Sequence, residues 1–182
     1  MAFTLPHGAE YLERTEVGLP LVVTNNDRIT KRRPLALRLL FILVHYTGVT
    51  SRKYHGIGRA ELIKVIHSIN NWKRNEYNYV IAWDGTIVEF AGRFEAIHCA
   101  TWLQWSSRHW NRESYGVLFL NAVGEPVTRA QLDSFVWMKN VLRWGQQVAQ
   151  DVRVEPHSFA RPTGCPGPSI GGPDALAWMR AA

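Results

Sequence analysis

The stretch Leu35–Gly48, LALRLLFILVHYTG, decides how the rest of the chain is read. Its apolar residues run without a break from Leu39 to Val44, bounded by Arg38 and Gly48. The run is far below the roughly 20 residues that span a bilayer. Short, continuous apolarity fits a strand buried on both faces. His45 stands at its C-terminal end, where open α/β sheets place their ligands.

Outward from that strand, alternating and helical patterns take turns. GRAELIKVIHSINNW, Gly58–Trp72, sets Leu62, Ile63, Ile66 and Ile69 on one helical face. YNYVIAWDGTIVEFAG, Tyr77–Gly92, holds Asp84-Gly85 between two alternating apolar runs, a strong hairpin signal. Tyr115–Leu120 reads as a second buried strand. Thr128 with Gln131 three later forms a capping box for a helix whose buried stripe is Leu132, Phe135, Met138 and Leu142. VRVEP, ending at Pro156, is a last short strand, and Pro173–Arg180 a short helix. The order predicts an α/β fold: a mixed central β-sheet with helices packed on it, in one domain. Residues 1–35 show weak periodicity and read as an extended N-terminal segment.

Composition bounds the function. The 182 residues suit one core, with 46 % apolar and 20 % charged residues, as in ordinary globular domains. The net charge of +6 draws anionic partners. The densest basic cluster, Arg28, Lys31, Arg32, Arg33 and Arg38, lacks the interleaved aromatics of a nucleic-acid surface, so no nucleic acid is expected as partner. Eight tryptophans exceed what a core of this size needs, and some can line a binding groove. Cys99 and Cys165 allow one disulfide but no disulfide framework. Met1–Pro20 lacks a basic region followed by an apolar core, so no Sec signal peptide is expected, and no membrane span is found.

Three residues have the chemistry of zinc ligands: His45, His157 and Cys165. The last two flank a Pro/Gly turn, whose rigidity fixes their separation. Zinc accepts imidazole nitrogen and thiolate sulfur, and three protein ligands with one open position mark catalytic sites. Each of the three also fits a packed, non-ligating role. The neighbouring pair His98 and Cys99 is a poor nucleophilic dyad, because adjacent strand residues face opposite sides.

The ordered blocks ILVHYTG, YNYVIAWDGTIVEFAG, HCA, NRESYGVLFLN and PHSFARPTGCPG resemble the type 2 N-acetylmuramoyl-L-alanine amidases, a family that includes phage endolysins and peptidoglycan recognition proteins. The resemblance covers about Leu39 to Pro168. It implies a zinc amidase domain over 36–182 that cuts the bond between the muramic acid lactyl group and L-Ala of the peptidoglycan stem peptide. It makes His45, His157 and Cys165 the Zn²⁺ ligands. Tyr77 matches the tyrosine beside the metal-bound water, and Thr163 a position of catalytic Lys or Thr. His98 and Asn111 match substrate-binding positions, and Arg93 an arginine of unassigned role. It also implies a peptidoglycan partner, a monomer, and a phage-encoded protein made in a host cytoplasm or delivered to the wall by another route. The alternative within the same fold is a non-catalytic peptidoglycan-binding module. Two departures stand out: Ser158 follows His157 where the family often has Arg, and Cys99–Trp110 forms a Trp-rich insertion.

Overall fold

The computed structural model describes residues 12–14, 21–23, 38–47, 57, 61–62, 64–65, 77–90, 110–122 and 124–181. Among the described residues, seven strands form one sheet: β1 (Leu12–Arg14), β2 (Leu21–Val23), β3 (Leu39–Tyr46), β4 (Tyr79–Ile81), β5 (Ile87–Glu89), β6 (Ser114–Phe119) and β7 (Val148–Pro156). Their order across the sheet is β1-β2-β5-β4-β6-β3-β7. β3 runs parallel to both β6 and β7, β4 runs parallel to β6, and the β4–β5 pair is antiparallel. The sheet is therefore mixed, as the sequence pattern predicts. The helices are α1 (Trp110–Glu113), α2 (Arg129–Trp144), α3 (His157–Ala160), α4 (Pro168–Gly171) and α5 (Pro173–Ala181). Within 1–35, β1 pairs with β2, and β2 adds parallel to β5.

β3 is buried on both sides, with one exception. Ile42 and Val44 join Phe135, Met138 and Leu142 of α2 and Leu176 and Met179 of α5 in the main core. On the opposite face Leu43 packs with Ala160 and Trp110. Leu40 breaks the pattern at 50 % exposed. It sits where the β3–β7 register shifts between Leu39 and Phe41, and such an irregularity re-aims side chains. A second cluster of Leu62, Val80, Ala82, Val88, Phe90, Leu118 and Leu120 lies further along the sheet. Of the expected Gly58–Trp72 helix, Glu61, Leu62, Lys64 and Val65 are helical, while Ile63, Ile66 and Ile69 lie outside the described residues.

The hairpin forms at Asp84-Gly85, through a longer loop than two residues. Ala82 N–H donates to Thr86 O at 2.9 Å, and Gly85 N–H donates to Ala82 O at 3.0 Å. Asp84 Oδ1 accepts from Thr86 N–H at 2.9 Å. Gly85 has φ +86, and a Cβ there would lie 2.8 Å from Ser134 Oγ and 3.0 Å from Ala130 O. Glycine is thus required both for the left-handed backbone and for close passage of the loop over α2.

α2 begins with the expected capping box, Thr128 and Gln131 satisfying each other's backbone N–H. Its buried face differs in part from the expected stripe. Leu132 is only partly buried, whereas Gln131, Ser134 and Lys139 are buried. Gln131 Nε2 donates to Asn121 Oδ1 at 2.6 Å and to Ile81 O at 3.2 Å, tying the helix to strand ends. Lys139 Nζ donates to Met179 O at 2.7 Å and Arg180 O at 3.4 Å. It thereby supplies the last carbonyls of α5 with a cationic donor. VRVEP proves to be the end of a longer strand, β7.

Candidate metal centre

The site follows from strand register. Val44 of β3 is level with Pro156 of β7 in a parallel pair. The next residue of each chain segment is a histidine, so His45 and His157 leave adjacent strand ends side by side. Their ring centroids lie 4.3 Å apart, close to the spacing of paired strands, about 4.8 Å. His45 is 1 % and His157 9 % exposed.

The loop after His157 then returns Cys165 to the same place. Ser158 N–H donates to Cys165 O at 3.0 Å, and Arg161 N–H donates to His157 O at 3.3 Å. Thr163 Oγ1 accepts from Cys165 N–H at 3.3 Å. Beyond the cysteine, Gly167 has φ +75, which lets Pro168 open α4 directly. Cys165 is a free thiol. Its Sγ lies 3.7 Å from His45 Nδ1.

Among the described residues, His45, His157 and Cys165 form the cluster whose ligand atoms all fall within 4.8 Å of one another. A tetrahedral zinc with Zn–N near 2.1 Å and Zn–S near 2.3 Å sets an N and an S donor about 3.6 Å apart. The 3.7 Å separation matches that edge. His157 Nε2 is buried and has no hydrogen-bond partner among the described residues. Burial of such a lone pair is unfavourable unless something accepts it, so the donor set fits a metal ion. Burial, and then the charge of Arg161, lower the His157 pKa to about 4. The imidazole is therefore neutral and ready to donate its lone pair. Burial pushes the Cys165 thiol up to about 11, against a hydrogen bond with the Tyr46 backbone that favours the thiolate. A cation in the cluster would reverse that shift.

Tyr77 packs its ring edge-on against His45, centroids 5.1 Å apart. It precedes β4, whose first residue is Tyr79. Thr163, partly exposed, borders the cluster through its bond to Cys165. Asn111 is not brought into it. This residue is 7 % exposed and precedes β6, while the cluster is level with Leu118 further along that strand. His98, Cys99, Arg93, Trp102 and Trp105 lie outside the described residues. Trp110 of the aromatic insertion is described, and it packs against Phe41 and Phe159, with ring centroids at 5.2 and 5.8 Å. Arg161 is the residue near the cluster that sequence reasoning passed over. In sequence it is one more arginine in a polar loop, and its buried Nε, a feature shared with Arg143, becomes visible only in the structure.

Residues 36–168 match the model of the N-acetylmuramoyl-L-alanine amidase family. No curated protein sequence matches the chain. Among solved structures, it is similar to the endolysine N-acetylmuramoyl-L-alanine amidase LysCS from Clostridium intestinale, 20 % identical with TM-score 0.56, covering 82 % of this chain and 88 % of that one. It is similar to the Drosophila peptidoglycan recognition protein SA, 16 % identical with TM-score 0.62, covering 81 % and 83 %. It is also similar to peptidoglycan recognition protein LE in complex with tracheal cytotoxin, a monomeric diaminopimelic acid-type peptidoglycan, 23 % identical with TM-score 0.57, covering 78 % and 82 %. At these identities the likeness is one of fold. No helix among the described residues is long and apolar enough to cross a membrane.

Proposed function

The chain belongs to the N-acetylmuramoyl-L-alanine amidase family, and from that membership we propose that it is a zinc-dependent hydrolase of the bond between the muramic acid lactyl group and the L-Ala of the stem peptide. The observation that carries the reading is the His45–His157–Cys165 cluster, with its orphaned His157 Nε2. These three side chains would hold the ion, and the partly exposed Cys165 marks the side open to substrate. The chemistry such an ion supplies is Lewis acidity toward the scissile carbonyl and a lowered pKa for a water. Tyr77 would direct its hydroxyl to the charge that develops on the carbonyl oxygen. Thr163, whose oxygen already accepts from Cys165 N–H, keeps a hydroxyl proton to donate there. One such donor is worth about 3 kcal/mol in the barrier. His98 and Asn111 are proposed to line the substrate cleft, Asn111 touching substrate only away from the cut bond. The +6 charge favours approach to an anionic cell wall, and a wall-lysing, endolysin-like role as a monomer is the proposed setting.

The alternative is a peptidoglycan-binding module without hydrolysis, and the likeness to recognition proteins favours it. The complete three-donor set supports the catalytic reading over it. Product analysis separates them. Digested peptidoglycan should release free stem peptides with an N-terminal L-Ala, and Tyr77→Phe should keep zinc while losing about 10²- to 10³-fold in rate. Wall binding without released peptide would establish the module instead.

A further inference from the structure

His157 leaves the end of an edge strand, and an arginine of the last helix holds that end. Among the described residues, β7 pairs with β3 alone and stands last in the sheet. Its final residue, Pro156, has no N–H to give to a ladder. A side chain supports the strand here instead of a neighbouring strand. Arg180 Nε donates to Val154 O at 2.9 Å, and Arg180 Nη2 donates to Glu155 Oε2 at 2.7 Å. Glu155 is 8 % exposed, and its other oxygen, Oε1, accepts from Arg153 Nη2 at 2.8 Å. Val154 and Glu155 stand three and two residues before His157.

The arginine is itself anchored. Leu176 and Met179 of α5 lie in the main core. Lys139 Nζ of α2 donates to Met179 O at 2.7 Å and to Arg180 O at 3.4 Å. A continuous path therefore runs from α2 through the Arg180 carbonyl and guanidinium to the main chain of β7 just ahead of the histidine. A metal site tolerates displacements of its donors of only about 0.5 Å, so the groups that hold a ligand residue matter to affinity. Pairing with β3 holds β7 on one side. The planar fork of Arg180 spans a main-chain carbonyl and a carboxylate on consecutive residues, which fixes the strand end in both position and direction. We infer that Arg180 is a positioning residue for the metal centre, holding the end of β7 so that His157 stands at ligand distance from His45 and Cys165. The inference rests on the metal-centre reading, and it gives Arg180 no contact with ion or substrate.

Zinc affinity by chelator competition, and the visible absorption of the Co²⁺-loaded protein, test it without turnover. Arg180→Ala should bind Zn²⁺ about tenfold more weakly than wild type, as when a group supporting a ligand is lost, and its Co²⁺ bands should shift. Arg180→Lys, with one ammonium for two acceptors, should fall between. Leu142→Ala is the control for lost stability. Its carbonyl accepts from Gln147 N–H, whose own carbonyl accepts from Leu39 N–H at the other end of β3. That variant should lower the thermal midpoint and keep wild-type zinc affinity and Co²⁺ bands. Wild-type affinity and bands in Arg180→Ala overturn the inference, as does an equal loss in Leu142→Ala. Should Arg180→Ala fail to fold, Arg180→Lys decides: its zinc affinity must fall, and an unchanged one overturns the inference. The two readings fail distinguishably. A wild type that takes up neither ion removes the metal centre and the inference with it, whereas a wild type that binds both, beside an unaltered Arg180→Ala, removes the role of Arg180 alone.

Discussion

Cys165 is the proposed donor whose protonation would govern metal binding. Its thiol is pushed up to about 11 and His157 down to about 4. At neutral pH the metal-free pair therefore holds one proton, on sulfur. Zinc takes up the thiolate and the neutral imidazole, so this pair releases one proton per ion and apparent affinity should climb about tenfold per pH unit across pH 6 to 9. Chelator-competition titrations across that range check the slope. Cys165→Ser should lose both the slope and tight binding, because a hydroxyl stays protonated there. An affinity indifferent to pH would show that the thiol is not a ligand. At this scale the sequence was informative where residue type is rare and position constrained. A histidine ending an apolar run and a cysteine in a Pro/Gly turn are visible in the string. Arg161 was not, since an arginine held by solvent and one with a sealed Nε are written alike.

Among the helices, Lys139 sets a test of how α2 holds α5. Burial first, and then Arg143, lower its pKa from 10.5 to about 8. Below pH 8 folded and unfolded chains both carry the proton, so the penalty of burying the charge is constant. Between pH 8 and 10.5 the unfolded chain binds more protons than the folded one, so folding stability rises with pH in that window. The difference in unfolding free energy between wild type and Lys139→Met should be flat below pH 8, rise in favour of wild type toward 10.5, and then level. Urea unfolding of both proteins at several pH values measures it, and a flat difference throughout would mean that the buried lysine titrates normally. The elements themselves were largely legible. Thr128 with Gln131 announced the start of α2, and Asp84-Gly85 the hairpin, because caps and turns are local chemistry. The burial of Lys139 was hidden, although it sits one residue after Met138 and three before Leu142 on the apolar stripe. What it caps belongs to a helix distant in sequence. Leu40 was misjudged for a similar reason: the register shift that exposes it is made with β7.

Over the whole molecule, the proposed ion would join strands that the chain supplies far apart, β3 and β7. A ligand bound by the folded state alone stabilises it by about 2.7 kcal/mol at a hundred times its Kd. Zinc should therefore raise the thermal midpoint, and chelation lower it, while Cys165→Ser shows neither effect. Scanning calorimetry with and without the metal decides this, and equal shifts in wild type and Cys165→Ser would remove the cluster as the cause. The class of fold could be read from alternating patterns, but the order β1-β2-β5-β4-β6-β3-β7 could not. Pairing between distant strands leaves no local mark. The register of that last pair, Val44 beside Pro156, also bears on synthesis. A chain emerging from the ribosome exposes His45 early and waits for nearly the whole domain before His157 and Cys165 appear. Until β7 is seated beside β3 the three donors stay apart. A nascent or truncated product lacking residue 165 would thus lack the complete donor set and, with it, the proposed hydrolysis.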